Sequence, residues 1–172
     1  MLLRHAKAEP AFPGAPDRAR VLAPRGRQQA TELGQFMARH RLTPARALVS
    51  PSARTRETWD CVTAALPQAP AADYDERLYN ASAADLIAMI RDTDTAAVRS
   101  LLLLGHNPGL HQAAIELIAT GDLDARQRLH EKLPPGGLIV IEFKLSEWSA
   151  LHPLAGRLER FVTPGEIEAA TD

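Results

Sequence analysis

The chain has little cysteine, little lysine, no excess of either charge and no long apolar run. Its one cysteine, Cys61, excludes an internal disulfide framework and a multi-cysteine zinc site. The best candidate apolar stretch, Leu101–Leu104, falls far short of the roughly 18 residues a membrane span requires. The start, Met1-Leu2-Leu3-Arg4-His5, lacks a basic segment followed by a long apolar region, so a cytoplasmic protein without a signal peptide is expected. The 20 basic residues nearly cancel the 21 acidic ones, for a net charge of -1. Such a balance provides no global field to hold nucleic acid or an anionic membrane, and neither is expected as a partner. Internal repeats and low-complexity tracts are absent.

Among the basic residues, only Lys7, Lys132 and Lys144 are lysine; the rest are arginine. Arginine suits bidentate recognition of phosphate and carboxylate, but a GC-rich coding sequence produces the same bias. The 172 residues fit one domain, spanning 1–172, with enough chain to bury a stable core. At 45% apolar and 24% charged, the composition is that of an ordinary globular protein.

Periodicity and punctuation give the elements. Leu2–Arg4 reads as a short strand. Ala30, Leu33, Phe36 and Met37 recur at helical spacing within Arg25–His40, and Pro24 stands where a first-turn proline would. Arg46–Val49 reads as a buried strand. Ser50-Pro51 has the form of an N-cap and first helical residue, opening a helix to about Leu66. Asp73–Tyr79 reads as a short strand or loop. Ser82 would cap a helix over Ala83–Arg91. Ser100–Leu104 is the clearest buried strand, followed by a helix from Leu110 to about Ala119 that Gly121 would cap. Leu138–Phe143 is a further strand, Gly156–Val162 an edge strand, and Glu166-Ile167-Glu168 a solvated tail. Cys61 is expected to be a buried small apolar residue.

Strands alternating with helices predict an α/β fold: a three-layer sandwich with a mostly parallel sheet and helices on both faces. Sites in such sheets form at the carboxyl ends of strands. Arg4-His5, Ser50-Pro51 and Gly105-His106 stand at three such ends. Each residue alone has a bland explanation: an exposed histidine for His5, a turn histidine for His106, a solvated helix residue for Arg54. Together they describe an anion pocket that contains imidazole. Guanidinium forks match phosphate oxygens, and imidazole can attack phosphorus. Stacked positive charge should keep His5 neutral and nucleophilic near pH 7.

Four segments in order carry a family likeness. Leu3-Arg4-His5-Ala6-Lys7-Ala8-Glu9 resembles the Arg-His signature of the histidine phosphatase superfamily, the phosphoglycerate-mutase-like group. Arg20 through Gly26 resembles its Arg-Pro-Leu-Thr-x-x-Gly segment. Ser50-Pro51-Ser52-Ala53-Arg54 with Thr58 resembles its second-arginine motif. Leu104-Gly105-His106-Asn107-Pro108-Gly109 resembles its second-histidine motif in the short, phosphohistidine phosphatase-like branch. Gly156-Arg157-Leu158 with Phe161 and Pro164 is also similar to that branch.

The resemblance implies roles. His5 would be the phosphorylated nucleophile, Arg4 and Arg54 would clamp the phosphoryl oxygens, His106 would donate to them, and Arg20 would be a further anion contact. No metal or other cofactor would be needed, because arginines supply the positive charge that this reaction requires. Asp75-Glu76-Arg77-Leu78-Tyr79 is similar to the mutase-like Glu-Arg-His-Tyr segment, which makes Glu76 either the candidate proton donor or a solvated loop carboxylate. The other branch has an aspartate directly after the second histidine; this chain has Asn107. A phosphohistidine substrate, with its labile P–N bond, needs such an acid less than an alkyl phosphate does. The family also has more residues ahead of the Arg-His pair, so either the start codon is mis-set, the chain is truncated or the first strand is short. With no room for capping insertions, an open site is expected, suited to a phosphorylated side chain on another protein.

The leading expectation is thus a phosphohistidine protein phosphatase acting as a monomer. A small-molecule phosphomonoesterase and a non-catalytic phosphate-binding module are the alternatives.

Overall fold

The computed structural model describes residues 1–170. Seven strands form one sheet: β1 (Leu2–Arg4), β2 (Arg46–Val49), β3 (Ala72–Tyr74), β4 (Leu101–Gly105), β5 (Ile118–Gly121), β6 (Leu138–Phe143) and β7 (Gly156–Val162). Their spatial order is β3-β2-β4-β1-β6-β7-β5. β1, β2 and β3 run with β4, and β5 runs with β7. β6 pairs antiparallel with both of its neighbours. It alone runs against the rest, so the sheet is mostly parallel, as expected.

Among the described residues, six α-helices cover the sheet: α1 (Pro24–Arg39), α2 (Ala53–Ala65), α3 (Ala83–Arg91), α4 (Gly109–Leu117), α5 (Leu123–Glu131) and α6 (Pro164–Ala169). Alternate strand residues face opposite layers. Leu3, Val49, Leu102 and Leu104 pack with Ala30, Leu33 and Met37 of α1 and Trp59 and Val62 of α2. Leu2, Leu48, Leu101 and Leu103 pack with Leu86, Ile87 and Ile90 of α3 and Leu110, Ala113 and Leu117 of α4. β4 is covered on both faces, which is why it reads as an unbroken leucine run rather than an alternation.

Several local expectations need correction. α2 begins at Ala53 with Ser52 in the N-cap position, not at Ser50-Pro51. Ser50 still belongs to the strand end, since its N–H donates to the Leu104 carbonyl at 2.9 Å. α4 stops at Leu117. The next four residues, through Gly121, form β5 against β7 rather than a helix end. β7 therefore lies inside the sheet and the edges are β3 and β5. α5 leaves no apolar pattern in the sequence: its one fully buried residue is Leu129, although Asp122 caps it by accepting from the Ala125 N–H. The expected tail is α6, closed by a Thr163–Glu166 capping box and anchored by buried Ile167. Cys61 is half-buried rather than buried. No helix among the described residues is long and apolar enough to cross a membrane.

Candidate active site

β1, β4 and β2 are neighbours and run in parallel, so their carboxyl ends open at one place. The ladder continues one residue past each strand: the His5 N–H donates to the Gly105 carbonyl (3.2 Å) and the Ser50 N–H to Leu104 (2.9 Å). His5, Ser50 and His106 are thereby set side by side. The two imidazole centroids are 5.3 Å apart.

His5 is 8% exposed. Its Nδ1 lies 2.8 Å from the Ala6 carbonyl oxygen. A carbonyl only accepts, so Nδ1 carries the proton and Nε2 keeps a free lone pair. The turn after β1 is tied down on both sides. The Ala6 N–H donates to Thr58 Oγ1 (3.0 Å), and Thr58 Oγ1 donates to the Arg54 carbonyl (2.6 Å). The Gly136 N–H donates to the His5 carbonyl (2.9 Å). Gly136 has φ +76°, a conformation that costs glycine little.

His106 is similarly constrained. A guanidinium cannot accept, so Arg54 donates from its NH2 nitrogen to His106 Nδ1 (3.3 Å), and His106 Nε2–H donates to Ser50 Oγ (2.8 Å). This tautomer is neutral and opposite to that of His5. Three residues on, Gly109 opens α4 where any Cβ would lie 2.0 Å from the Ala81 carbonyl oxygen. Only glycine allows that close approach, which seats the His106 loop against the start of α3.

Both imidazoles are held neutral. The His5 pKa is lowered to about 4, first by burial and then by the charges of Arg54, Arg4 and Arg20, against the opposing Ala6 hydrogen bond. That of His106 is lowered to about 3, by burial and then by Arg54. The arginine charges were expected to act this way, but burial is the larger cause.

The arginines converge from separate elements. Arg54, on the first turn of α2, is 3% exposed. Arg4 donates to the Leu133 carbonyl (2.8 Å), which also accepts from Asn107 Nδ2 (3.0 Å). Burial lowers the Arg4 pKa below its usual range. Arg20 contacts the Glu9 carbonyl and Asp17. The Nε atoms of Arg4, Arg20 and Arg54 are buried and have no hydrogen-bond partner among the described residues. Buried donors ordinarily find acceptors. Donors of this kind beside two neutral imidazoles suit a tetrahedral oxyanion.

Asp17 is the residue that sequence reasoning missed. It stands in a short 3-10 turn, Asp17–Ala19, after a proline-rich loop. Its carboxylate accepts from Arg54 (2.9 Å), Arg20 (3.0 Å) and the Tyr79 hydroxyl (2.8 Å), and its carbonyl accepts from Arg54 (2.8 Å). The Tyr79 hydroxyl and the arginines hold its carboxyl below the usual range. The Tyr79 ring packs edge-on against His106. Its only signal in the sequence is an aspartate three residues before Arg20. Glu76 lies further out. It pairs with Arg18 in solvent, Arg18 sits over the Tyr79 ring, and no hydrogen bond joins Glu76 to either histidine among the described residues. Nor is any group of three His, Cys, Asp or Glu among them placed to hold a metal ion.

A parallel-sheet α/β fold with paired imidazoles ringed by guanidinium donors defines a class of phosphate-handling enzymes. Comparison with known proteins agrees. Residues 1–93 match the family model of the histidine phosphatase superfamily, branch 1. An uncharacterized protein of Mycobacterium tuberculosis strain H37Rv is 32% identical over 165 residues, covering 94% of this chain and 99% of its own. A crystal structure assigned as phosphohistidine phosphatase SixA from Agrobacterium tumefaciens is 29% identical, with a TM-score of 0.79 over 95% of this chain and 96% of that one. The protein histidine phosphatase SixA complexed with tungstate shares the fold at 18% identity, with a TM-score of 0.74 over 96% and 97% of the two chains. The chain belongs to the histidine phosphatase superfamily, and it is a phosphatase.

Proposed function

We propose that this phosphatase removes the phosphoryl group from phosphohistidine on a protein, with His5 as the nucleophile. The observation that carries the reading is the His5 tautomer: Nδ1–H is committed to the Ala6 carbonyl, so Nε2 presents its lone pair at neutral pH. Arg4, Arg54 and Arg20 bring guanidinium donors to the same place, which suits a reaction whose charge spreads over the equatorial phosphoryl oxygens.

The His5 Nε2 lone pair attacks phosphorus. The P–N bond of the substrate breaks, its electron pair goes to the leaving imidazole, and that nitrogen takes a proton from water. Water then attacks phospho-His5, releases inorganic phosphate, loses its surplus proton to solvent and restores His5. His106 keeps Nε2–H on Ser50. An arriving phosphoryl dianion raises the pKa of His106, since a nearby opposite charge favours the protonated form. His106 takes a proton from solvent at Nδ1, the Arg54 NH2 donor turns from that nitrogen to the phosphoryl group, and the new Nδ1–H donates to a phosphoryl oxygen.

Two features favour phosphohistidine over an alkyl phosphate. The position after His106 is Asn107, which cannot supply a proton, and Glu76 is engaged with Arg18. An alkyl leaving group requires an acid close to its oxygen; a leaving imidazole is basic enough to be protonated from solvent. The SixA name of the 29%-identical structure supports the same substrate. The test is phosphate release from a phosphohistidine protein by the wild type and by His5→Ala. Release is expected only with the wild type, and equal rates would overturn the reading.

A further inference from the structure

The groove beside the nucleophile carries a charge pattern that the phosphoryl chemistry does not use. It has a volume of about 660 Å³, and its lining includes Lys7, Arg25, Arg128, Lys132, Pro134 and Phe161. All four cations are exposed. Arg25 and Arg128 are partly neutralised by Glu168 and Glu166 of α6. Lys7 and Lys132 form no ion pair among the described residues. They are two of the three lysines in the chain. The third, Lys144, follows the carboxyl end of β6, which runs against the other strands and so ends on the side of the sheet opposite the histidines.

The groove is joined to the site through the backbone. Lys7 is two residues past His5. Lys132 precedes Leu133, whose carbonyl accepts from both Arg4 and Asn107. The Pro134–Gly137 turn in its wall donates Gly136 N–H to the His5 carbonyl. The two free ammonium groups thus stand on the segments whose backbone holds His5 and Arg4 in place. Ammonium on a flexible stem suits carboxylates at no fixed angle, whereas the guanidinium forks of the site suit phosphate.

We propose that this groove docks an acidic segment of the substrate protein, with Lys7 and Lys132 pairing to carboxylates that flank the phosphohistidine. The proposal rests on the phosphohistidine reading above. The overall charge of -1 and the two α6 glutamates at the rim match a short acidic segment better than a polyanion.

Two peptides phosphorylated on histidine with phosphoramidate test it, one with flanking glutamates and one with glutamines. The wild type should turn over the glutamate peptide with kcat/KM higher by about fivefold to tenfold at low salt. That preference should fade as salt rises. Lys7→Glu combined with Lys132→Glu should abolish or reverse the preference while leaving turnover of an aryl phosphate unchanged. Equal wild-type rates on the two peptides, or a preference that survives in the double variant, would overturn the proposal. So would competition by a short DNA duplex that the double variant escapes, if it came without any glutamate preference, because it would assign the groove to nucleic acid. Failure of the underlying reading is a different outcome: the wild type hydrolyses the aryl phosphate and neither peptide.

Discussion

Asp17 holds Arg54 at both terminal nitrogens, by its backbone carbonyl at 2.8 Å and its carboxylate at 2.9 Å. The end of the guanidinium is thus occupied by a protein carboxylate. Its remaining edge carries the unpartnered Nε–H and the NH2 bond to His106 Nδ1. One aspartate fixes which side of Arg54 faces the histidines, and the same carboxylate gathers Arg20 and Tyr79.

Removing that anchor should misplace Arg54 while leaving the fold intact. For Asp17→Ala, kcat/KM on an aryl phosphate should fall about 10- to 100-fold, the scale of a misoriented catalytic group. Asp17→Glu should recover part of the loss. Stability should fall by about 1–3 kcal/mol, because the buried Arg54 guanidinium loses its carboxylate partner, and thermal melts separate this from the kinetic effect. Unchanged kcat/KM in the alanine variant would show that Arg54 needs no such anchor.

Arg54 itself should not tolerate lysine. An ammonium has three donors on one nitrogen, so bonding Asp17 twice and His106 once would leave none for phosphate, and it lacks the Nε–H edge. Arg54→Lys should lower kcat by about 10²- to 10³-fold, comparable to the loss of an oxyanion donor. Steady-state kinetics with thermal melts separates this from unfolding.

The lowered histidine pKa values make a pH prediction. His5 and His106 titrate at about 4 and about 3 in the folded chain, against 6.5 as free side chains. Between those limits the unfolded chain binds more protons, so stability rises with pH across this window. The contribution is full above pH 6.5 and is lost as the pH falls toward 4 and 3. Urea midpoints measured from pH 7 to pH 4 should decline. Imidazole NMR should show His5 as the Nδ1–H tautomer and His106 as the Nε2–H tautomer, both neutral at pH 6. Ordinary titration of either ring near 6.5 would contradict the geometry.

The end of the chain should contribute to the core. Ile167 is 3% exposed and packs with the α1–α2 layer. Ile167→Ala should destabilise by about 2–5 kcal/mol, measured by urea unfolding. Glu168→Ala, on the surface, should cost far less.

What the sequence discloses follows from how local each signal is. The Leu101–Leu104 run, the 3- and 4-residue spacing in α1 and the Ser82 cap are written within a few residues, and those elements lie where they are expected. β5 is not so written: its strand form depends on β7, whose Gly156 pairs with Ile118 from far along the chain. α5 buries one leucine, too little to produce an apolar stripe. The site divides in the same way. His5, His106 and Arg54 stand at strand and helix ends that the pattern locates. Asp17 reaches Arg54 and Tyr79 across 37 and 62 residues from an irregular loop, and nothing beside it in the chain announces those partners. Glu76 resembles an acid because of the residues around it; what those neighbours do not disclose is its surface ion pair with Arg18, which comes from 58 residues away.

The central claim is that phosphoryl transfer passes through His5. Rapid acid-free quenching of the enzyme with a radiolabelled phosphohistidine protein tests it most directly, with the label mapped by mass spectrometry. The account predicts a transient phosphoryl group on His5 in the wild type, with no label and no phosphate release in His5→Ala. Phosphate release by His5→Ala at the wild-type rate, or label mapped to another residue, would contradict it.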